Sequence, residues 1–337
     1  MDASVDGILR VGVIGLGRLW AARHRPALDQ MRDRWRVSAV YDQVAVRAES
    51  EAKRLGCVAS GGLTALIERP DVDVVSLLEP QWFGSQPIEL AARFGKPIYM
   101  VPPLFGGPSG ELEALAKVVE RSGIPLMLEM PRRLHSATLR LRELLATKLG
   151  PPRLVFGQVR LSGFNRYEKP GPDTQVAPVP ILVDPGGYVI DWCRHLFQAE
   201  PLSISGAGGT FQPSKGVGEN DFEEILLRFP EGAAARIGIF NTDRGLWEEG
   251  QVPPAPGFRI SCEQGSAWLE PPDRLWWADS EGSHDEQLPD ETGLGVTLND
   301  QFLRMVRGEP SEAPTLQDAL AIDRWLQELR TGRVEPD

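Results

Sequence analysis

The stretch that decides the fold is LRVGVIGLGRLW, from Leu9 to Trp20. Its mostly apolar first half runs into Gly15-Leu16-Gly17, the pattern of a buried parallel strand that ends in a tight turn before a helix. Two glycines at this spacing let the backbone approach a pyrophosphate, and the helix that follows points free N–H groups at the phosphates. The stretch therefore predicts a dinucleotide-binding turn. The residues expected to contact the dinucleotide there are Gly15, Gly17, Arg18 and Leu19.

Asp42 follows a second apolar stretch, Val37–Tyr41, at the distance where an acidic residue typically binds a ribose 2′-hydroxyl. A carboxylate at this position repels a 2′-phosphate, so the sequence predicts NAD as the cofactor in preference to NADP. Trp20 stands where a small residue normally lets the helix pack closely on the strand. An ordinary strand–turn–helix is the alternative interpretation, because an indole at this position could alter the turn.

The composition excludes several classes of protein. The chain has 337 residues, of which 42% are hydrophobic and 25% are charged, as expected for one or two globular domains. The net charge of −11 argues against nucleic acid or an anionic membrane surface as a partner. No stretch is apolar for long enough to span a bilayer, and the acidic N-terminus does not resemble a signal peptide. Three widely spaced cysteines predict neither disulfides nor a metal site, so we expect a cytoplasmic protein with reduced thiols.

The order of apolar stretches predicts an α/β protein with two domains. Strand and helix patterns alternate over residues 1–130, which predicts an N-terminal Rossmann-type domain with a doubly wound parallel sheet. Longer strands with hairpin signals follow, among them the turn at Pro230-Glu231-Gly232. Residues 131–337 are therefore expected to form an α+β domain with a large, mainly antiparallel sheet. A final helix, Leu316–Leu329, starts with a capping-box-like sequence and is the element that could return to the first domain.

Several separate stretches resemble the Gfo/Idh/MocA family of oxidoreductases across nearly the whole chain. Asp71–Val75 followed by Glu79-Pro80-Gln81 is similar to the family's fourth strand and its Thr-Pro-Asn loop. Gly186–Asp191 with His195 is similar to its Gly-Gly-x-x-x-Asp-x-x-x-His motif, and Arg132-Arg133 matches the arginines of its Asn-Arg-Arg stretch. The resemblance implies NAD(P)-dependent dehydrogenation of sugars, inositols or related polyols, with Pro80 beside the cofactor.

The departures from the family fall where its chemistry is carried. In the family a Glu-Lys-Pro lysine contacts substrate and cofactor and assists proton transfer, and here Pro102 replaces it. The family's loop histidine after the fourth strand is replaced by Gly84, and the threonine before Pro80 is replaced by Glu79. Proline cannot hold a proton. The loss of the lysine therefore argues against sugar dehydrogenation without excluding redox chemistry.

Asp191 and His195 are four residues apart, so on a helix they lie on one face. A secondary alcohol gives up a hydride from carbon and a proton from oxygen, and a positioned base has to accept the proton. We predict that His195 is the acid/base and that Asp191 orients it. The alternative is a carboxylate and a histidine with a structural role only.

Two hypotheses about function follow from these residues. The first is an NAD(P)-dependent oxidoreductase that acts on a sugar-like or polyol substrate in the cleft between the domains. The second is a catalytically silent family member that serves as a dinucleotide-binding, regulatory or assembly subunit. In either case the open face of the C-terminal sheet predicts a homo-oligomer, and the partners expected are a small-molecule substrate and further copies of the chain.

Overall fold

The computed structural model describes residues 7–80, 83–102, 110–161, 184–209, 222–241, 257–288 and 293–331. These residues fall into two compact units. The first unit lies within Met1–Pro131 and Asp290–Leu320, and the second lies within Arg132–Pro289 and Ala321–Asp337. Each unit contains one β-sheet, and together they confirm the predicted α/β fold class.

The sheet of the first unit is parallel throughout. Its strands are β1 (Leu9–Ile14), β2 (Trp35–Tyr41), β3 (Val58–Ala59), β4 (Val74–Leu77), β5 (Ile98–Met100) and β6 (Leu126–Leu128). They pair in the order β3-β2-β1-β4-β5-β6. The strand order reverses between β1 and β4. In open parallel sheets, ligands bind at the carboxyl ends of the strands beside such a switch point.

Helices connect these strands as the alternating pattern predicts. They are α1 (Arg25–Gln30), α2 (Ala45–Leu55), α3 (Leu63–Ile67), α4 (Gln86–Arg93) and α5 (Glu111–Ser122). Gly56 ends α2 in the left-handed conformation with a φ of 66°, which is the usual role of glycine after a helix. A further helix, α9 (Gly293–Arg307), belongs to this unit and packs on the first helical segment.

The first helical segment differs from its prediction. The sequence predicts a helix from Arg18 to about Trp35 with a kink or a break at Pro26. In the structure the segment widens into a π-helical turn, Trp20–His24, and continues as α1 to Gln30. Proline lacks the N–H that would donate to the carbonyl four residues earlier, so the ladder changes register immediately before it.

The second unit is built on a mostly antiparallel sheet. Its strands are β7 (Pro152–Leu161), β8 (Ser203–Gly209), β9 (Phe222–Arg228), β10 (Ala234–Asn241), β11 (Phe258–Cys262), β12 (Gly265–Glu270), β13 (Arg274–Asp279) and β14 (Ser283–Gln287). They pair in the order β14-β13-β12-β11-β7-β10-β9-β8, and only β7 with β10 is parallel. The predicted hairpin at Pro230–Gly232 is confirmed. An acidic run such as Asp285-Glu286 most simply predicts a solvated loop, but these two residues lie in the edge strand β14.

Helices cover one face of this sheet. They are α6 (Pro131–Leu134), α7 (Ser136–Leu144) and α8 (Asp184–Phe197), while α10 (Leu316–Thr331) begins in the first unit and ends in the second. Trp192 of α8 packs on Phe258 of β11 with ring centroids 4.3 Å apart. On β7, Val155 is buried whereas Phe156 is 48% exposed, so the two sides of the sheet differ as alternation requires.

The start of α10 confirms the predicted capping interaction, because the Thr315 N–H donates to Asp318 Oδ2 at 2.8 Å. Within the part of the chain that the structure describes, no helix is both long and apolar enough to cross a membrane. The same residues contain no group of three or more His, Cys, Asp or Glu side chains placed to hold a metal ion.

Candidate functional site

The glycine turn after β1 lies at the carboxyl edge of the parallel sheet, beside the switch point. Gly15 has a φ of 90°, a conformation that residues with a side chain rarely adopt. Its N–H donates to the Tyr41 carbonyl at 2.9 Å. On the other side, the Leu78 N–H donates to the Ile14 carbonyl at 2.9 Å, which brings the next residue, Glu79, beside the turn.

Asp42 is fixed against this turn. The side chain is only 5% exposed. Its Oδ2 accepts the Leu16 N–H at 2.8 Å, and its Oδ1 accepts the Val44 N–H at 2.8 Å. The Arg47 guanidinium lies 3.3 Å from Oδ2. A carboxylate oxygen has two lone pairs, so Oδ1 keeps an acceptor position in addition to its bond to Val44.

Glu79 packs directly on the two glycines. Its Cβ and Cγ lie 2.8 Å and 3.0 Å from the point that a Cβ on Gly15 would occupy. Its carboxyl carbon lies 2.7 Å from the corresponding point on Gly17, and Oε1 lies closer still. Only glycine fits at position 15, where the obstacle is the backbone N and Cβ of Glu79, whereas a Cβ at position 17 would meet only the movable end of the Glu79 side chain. The Glu79 carboxylate therefore covers the surface at which the sequence predicts a pyrophosphate.

The other predicted cofactor contacts surround the same turn. Arg18 is exposed, Leu19 is partly exposed, and Pro80 is buried. Trp20 is 2% exposed, and its indole N–H donates to Glu51 Oε1 of α2 at 2.8 Å. The indole thus lies between the first helical segment and α2 instead of over the glycines.

We call the Gly15–Gly17 turn and the first turn of the helix after it the phosphate cradle. Its backbone suits a dinucleotide, because Gly15 makes the tight turn, Gly17 carries no side chain that would stand in the way of a phosphate, and Asp42 lies beside the turn. The Glu79 carboxylate does not suit it, since its charge has the same sign as a phosphate. The end of a glutamate side chain is flexible, so the phosphate cradle accepts a pyrophosphate once that carboxylate rotates away.

A buried polar cluster holds the helix that carries the phosphate cradle. Glu129, which follows β6, is 2% exposed and accepts the Tyr99 hydroxyl at 2.8 Å. The Glu129 carboxylate lies 3.0 Å from His24 Nε2 and also pairs with Arg23. Burial alone would raise the pKa of Glu129, but His24, Arg23 and Tyr99 outweigh it and lower the pKa to about 2. Sequence reasoning gave Glu129 no role, although an ionisable residue directly after an apolar strand was the available signal.

The replacement of the family's lysine is plain in the structure. Pro102 is buried just after β5. Lys96 precedes β5, at the opposite, amino-terminal edge of the sheet, and its Nζ donates to the Arg69 carbonyl at 2.5 Å. Burial lowers the pKa of Lys96, with Asp73 acting against that effect. Lys96 therefore cannot take over the part of the missing lysine.

In the second unit, Asp191 and Arg133 form a buried ion pair. Asp191 on α8 is 1% exposed. Arg133 Nε donates to Asp191 Oδ2 at 2.7 Å, and Arg133 Nη2 bonds to Oδ1, which is the two-pronged geometry that favours arginine over lysine. His195 lies one turn further along α8, in its last turn, and is partly exposed. That Asp191 orients His195 stays a prediction.

Arg132 is a second arginine that sequence reasoning matched to a motif without giving it a role. Its guanidinium lies 5.9 Å from the centre of the Phe258 ring. Burial lowers its pKa, with Tyr188 and Cys193 acting in the opposite direction. Arginine nevertheless stays charged at neutral pH. Among the residues that the structure describes, no carboxylate forms an ion pair with Arg132.

The cysteines lie outside this chemistry. Burial raises the pKa of Cys57 to about 11 and that of Cys262 to about 12. Burial also raises the pKa of Cys193. Thiols of this kind are poor nucleophiles at neutral pH, because the thiolate is the reactive form.

Comparison with known proteins identifies the family. Residues 9–130 match the model of the GFO_IDH_MocA oxidoreductase family, NAD-binding Rossmann fold, and residues 138–268 match the model of the GFO/IDH/MocA C-terminal domain. The chain belongs to the Gfo/Idh/MocA oxidoreductase family. The predicted family is thereby confirmed, and the first unit of this Gfo/Idh/MocA protein has the family's NAD-binding fold.

Two curated relatives show how far the likeness extends. The Gfo/Idh/MocA chain is 27% identical over 245 residues to scyllo-inositol 2-dehydrogenase (NAD(+)) of Bacillus subtilis, covering 69% of this chain and 68% of that protein. It is 23% identical over 238 residues to 2,7-anhydro-N-acetylneuraminate hydratase of Escherichia coli, covering 68% and 61%. Across three curated relatives, the matched part spans between 34% and 68% of their lengths.

Solved structures share the fold over nearly the whole chain. An oxidoreductase from Agrobacterium radiobacter, in complex with NAD+, L-tartaric acid and magnesium, superposes with a TM-score of 0.80 at 19% identity. The superposition covers 96% of each chain. At this identity the likeness concerns the fold.

Proposed function

We propose that this Gfo/Idh/MocA protein is an NAD-dependent oxidoreductase that transfers a hydride between the nicotinamide and a sugar-like or polyol substrate. The observation that carries the proposal is the contact of Asp42 with the glycine turn, 2.8 Å from the Leu16 N–H. This contact places a fixed carboxylate beside the phosphate cradle, where a ribose hydroxyl can donate to the free position on Oδ1. The name of the Bacillus subtilis relative supports a polyol as the substrate.

The choice of NAD over NADP follows from the same carboxylate. The two N–H donors on Asp42 are backbone groups, which cannot turn away, so the charge stays at the end of β2. A 2′-phosphate placed there would face a like charge at short range. Arg47 lies 3.3 Å from Oδ2 and moderates that repulsion only in part, since its own charge is paired with Asp42.

The proton is the part of the reaction that the protein's own residues must handle. The bound nicotinamide supplies the hydride acceptor. We assign the proton of the substrate hydroxyl to His195, which lies at the carboxyl end of α8, where the helix dipole stabilises a positive imidazolium. The ion pair of Asp191 with Arg133 fixes the preceding turn of α8, and Arg132 is proposed to bind a substrate oxygen.

A second candidate function is favoured by two specific residues. Glu79 covers the phosphate cradle, and Pro102 stands where the family's proton-handling lysine is expected. A protein that has both substitutions and no turnover would serve as a dinucleotide-binding, regulatory or assembly subunit. His195 argues for the enzyme, because a silent subunit needs no proton carrier, and Asp42 argues against a regulatory or assembly subunit that binds no dinucleotide.

The test is a screen of sugars, polyols and sugar acids with NAD+, followed by NADH absorbance and by substrate loss. Following substrate loss as well is useful because the Escherichia coli relative is named for a hydration. We expect His195→Gln to lower kcat by ~10²–10⁴-fold, the usual contribution of one acid/base group. His284→Gln is the matched control, since His284 lies on the edge strand β14, stacked on Trp277. Equal activity in His195→Gln and wild type would refute the assignment of the proton to His195.

We also propose that copies of the chain associate through the open face of the second unit's sheet. Phe156 is 48% exposed and lies in register between Arg236 of β10 and Arg259 of β11. The same row continues through Trp268 to Trp276, which is 40% exposed. Aromatic and arginine side chains in one row are the composition that favours protein–protein contacts.

A reducing, cytoplasmic location is part of the proposal. Its support is that Cys57, Cys193 and Cys262 are all free in the structure. Titration of freshly purified protein, unfolded in denaturant without reductant, should find three thiols per chain. A disulfide in that protein would contradict the proposed location.

A further inference from the structure

We propose that the Glu79 carboxylate is an internal occupant of the phosphate cradle and that it sets the affinity of the protein for the dinucleotide. The inference rests on the proposed function, since it concerns how the same cofactor gains access. It goes further, because it assigns to one residue a competition with the pyrophosphate.

The backbone fixes the position from which the Glu79 side chain extends. The Leu78 N–H is bonded to the Ile14 carbonyl, so the chain leaving β4 runs directly alongside the chain leaving β1. The Glu79 backbone N and Cβ each lie 2.8 Å from the point that a Cβ on Gly15 would occupy. Any residue at position 79 therefore starts against Gly15, and its side chain determines what lies over Gly17.

The Glu79 side chain places its negatively charged carboxylate on a surface that favours anions. The carboxyl carbon lies 2.7 Å from the point that a Cβ on Gly17 would occupy, and the helix that begins next carries the positive end of its dipole at this place. A carboxylate is stabilised there for the same reasons as a phosphate. Glu79 and a pyrophosphate thus compete for one surface, and a bound pyrophosphate requires the carboxylate to move.

The charge, more than the bulk, is the obstacle. A glutamate can rotate about its side-chain bonds, but its charge stays within a few ångströms because its Cβ is held against Gly15. Repulsion between two unit charges about 4 Å apart weakens binding roughly fivefold at the dielectric constant of water, and several hundredfold at the effective value for a protein surface. Glu79→Gln keeps the shape and removes this charge. Glu79→Thr removes the charge and also shortens the side chain, so that it no longer extends over Gly17.

The experiment is a calorimetric titration with ADP-ribose, which has the pyrophosphate but no nicotinamide, and with adenosine, which has no phosphate. We expect Glu79→Gln to bind ADP-ribose at least tenfold more tightly than wild type and Glu79→Thr to bind it at least as tightly as Glu79→Gln. Adenosine affinity should change less than twofold in both variants. Glu120→Gln, on the exposed face of α5, is the control and should leave both affinities unchanged.

Three results would overturn the inference. They are an ADP-ribose affinity of Glu79→Gln within twofold of wild type, an equal gain for adenosine, and no ADP-ribose binding by either variant. Thermal melting of both variants establishes that they are folded. A failure of the proposed function gives a different result. If the Glu79 variants bind ADP-ribose tightly but no substrate is turned over, this inference stands and the oxidoreductase function is refuted. If wild type forms NADH but Glu79→Gln binds ADP-ribose no more tightly than wild type, the oxidoreductase function stands and this inference is refuted.

Discussion

Replacing Glu129 by glutamine tests whether the buried cluster behind the phosphate cradle stabilises the first unit. The change keeps the size of the side chain and removes its charge. His24 is 1% exposed and Tyr99 is 1% exposed, so both lose a charged partner in a place that water does not reach. Arg23 loses its partner as well but is partly exposed, so water compensates it in part.

The size of the effect follows from the pKa. The pKa of Glu129 falls from an ordinary value of 4.5 to about 2, because the favourable contacts exceed the cost of burial. At 1.36 kcal/mol per pH unit, the charged form is stabilised by about 3 kcal/mol on folding. Since the pKa is lower in the folded protein, this contribution is complete above about pH 4.5 and is lost as the pH falls towards 2.

The assay is urea unfolding at several pH values between neutral and acidic, followed by tryptophan fluorescence. We expect Glu129→Gln to lower the free energy of unfolding by about 3 kcal/mol at neutral pH, with the gap to wild type narrowing below pH 4.5. Glu120→Gln, an exposed change of the same kind, should stay within about 0.5 kcal/mol. A gap smaller than about 1 kcal/mol, or one that does not depend on pH, would refute the reasoning.

Three more predictions follow from the packing. Gly295→Ala places a Cβ 2.6 Å from the Arg23 carbonyl oxygen and should cost about 1–3 kcal/mol, seen as a lower Tm; an unchanged Tm would contradict the close approach of α9. Asp191→Asn removes the buried charge that pairs with Arg133 and should cost about 3–5 kcal/mol in urea unfolding, whereas a neutral effect would show that the pair contributes nothing. Phe156→Asp should yield monomers in light scattering where wild type gives oligomers, and equal masses would remove the proposed interface.

Much of the fold could be predicted because its signals are local. The apolar stretch ending at Gly15-Leu16-Gly17, the glycine after α2 and the turn at Pro230–Gly232 each define a structure within a few residues. One exception is α9, whose glycines at 293 and 295 lower its helix propensity. In the structure Gly295 is what lets α9 lie close to the first helical segment, so tertiary packing outweighs propensity there.

The candidate site could be predicted only in part, because its decisive contacts join distant residues. Asp42 was located from its spacing after the glycine turn, and the contact with Leu16 places it beside that turn. The position of Glu79 over Gly17 depends on which strands are neighbours and on a side-chain rotamer, and neither is encoded in a local pattern. The pairing of Arg133 with Asp191 likewise joins residues 58 positions apart.

The central claim is that the phosphate cradle with Asp42 binds NAD, and a titration of the purified protein with NADH and NADPH tests it most directly. The binding is followed by calorimetry and by quenching of tryptophan fluorescence. We expect NADH to bind more tightly than NADPH and Asp42→Ala to narrow the difference, since the carboxylate both accepts the ribose hydroxyl and repels the 2′-phosphate. Failure of a folded wild-type protein to bind either dinucleotide, or tighter binding of NADPH, would contradict the account.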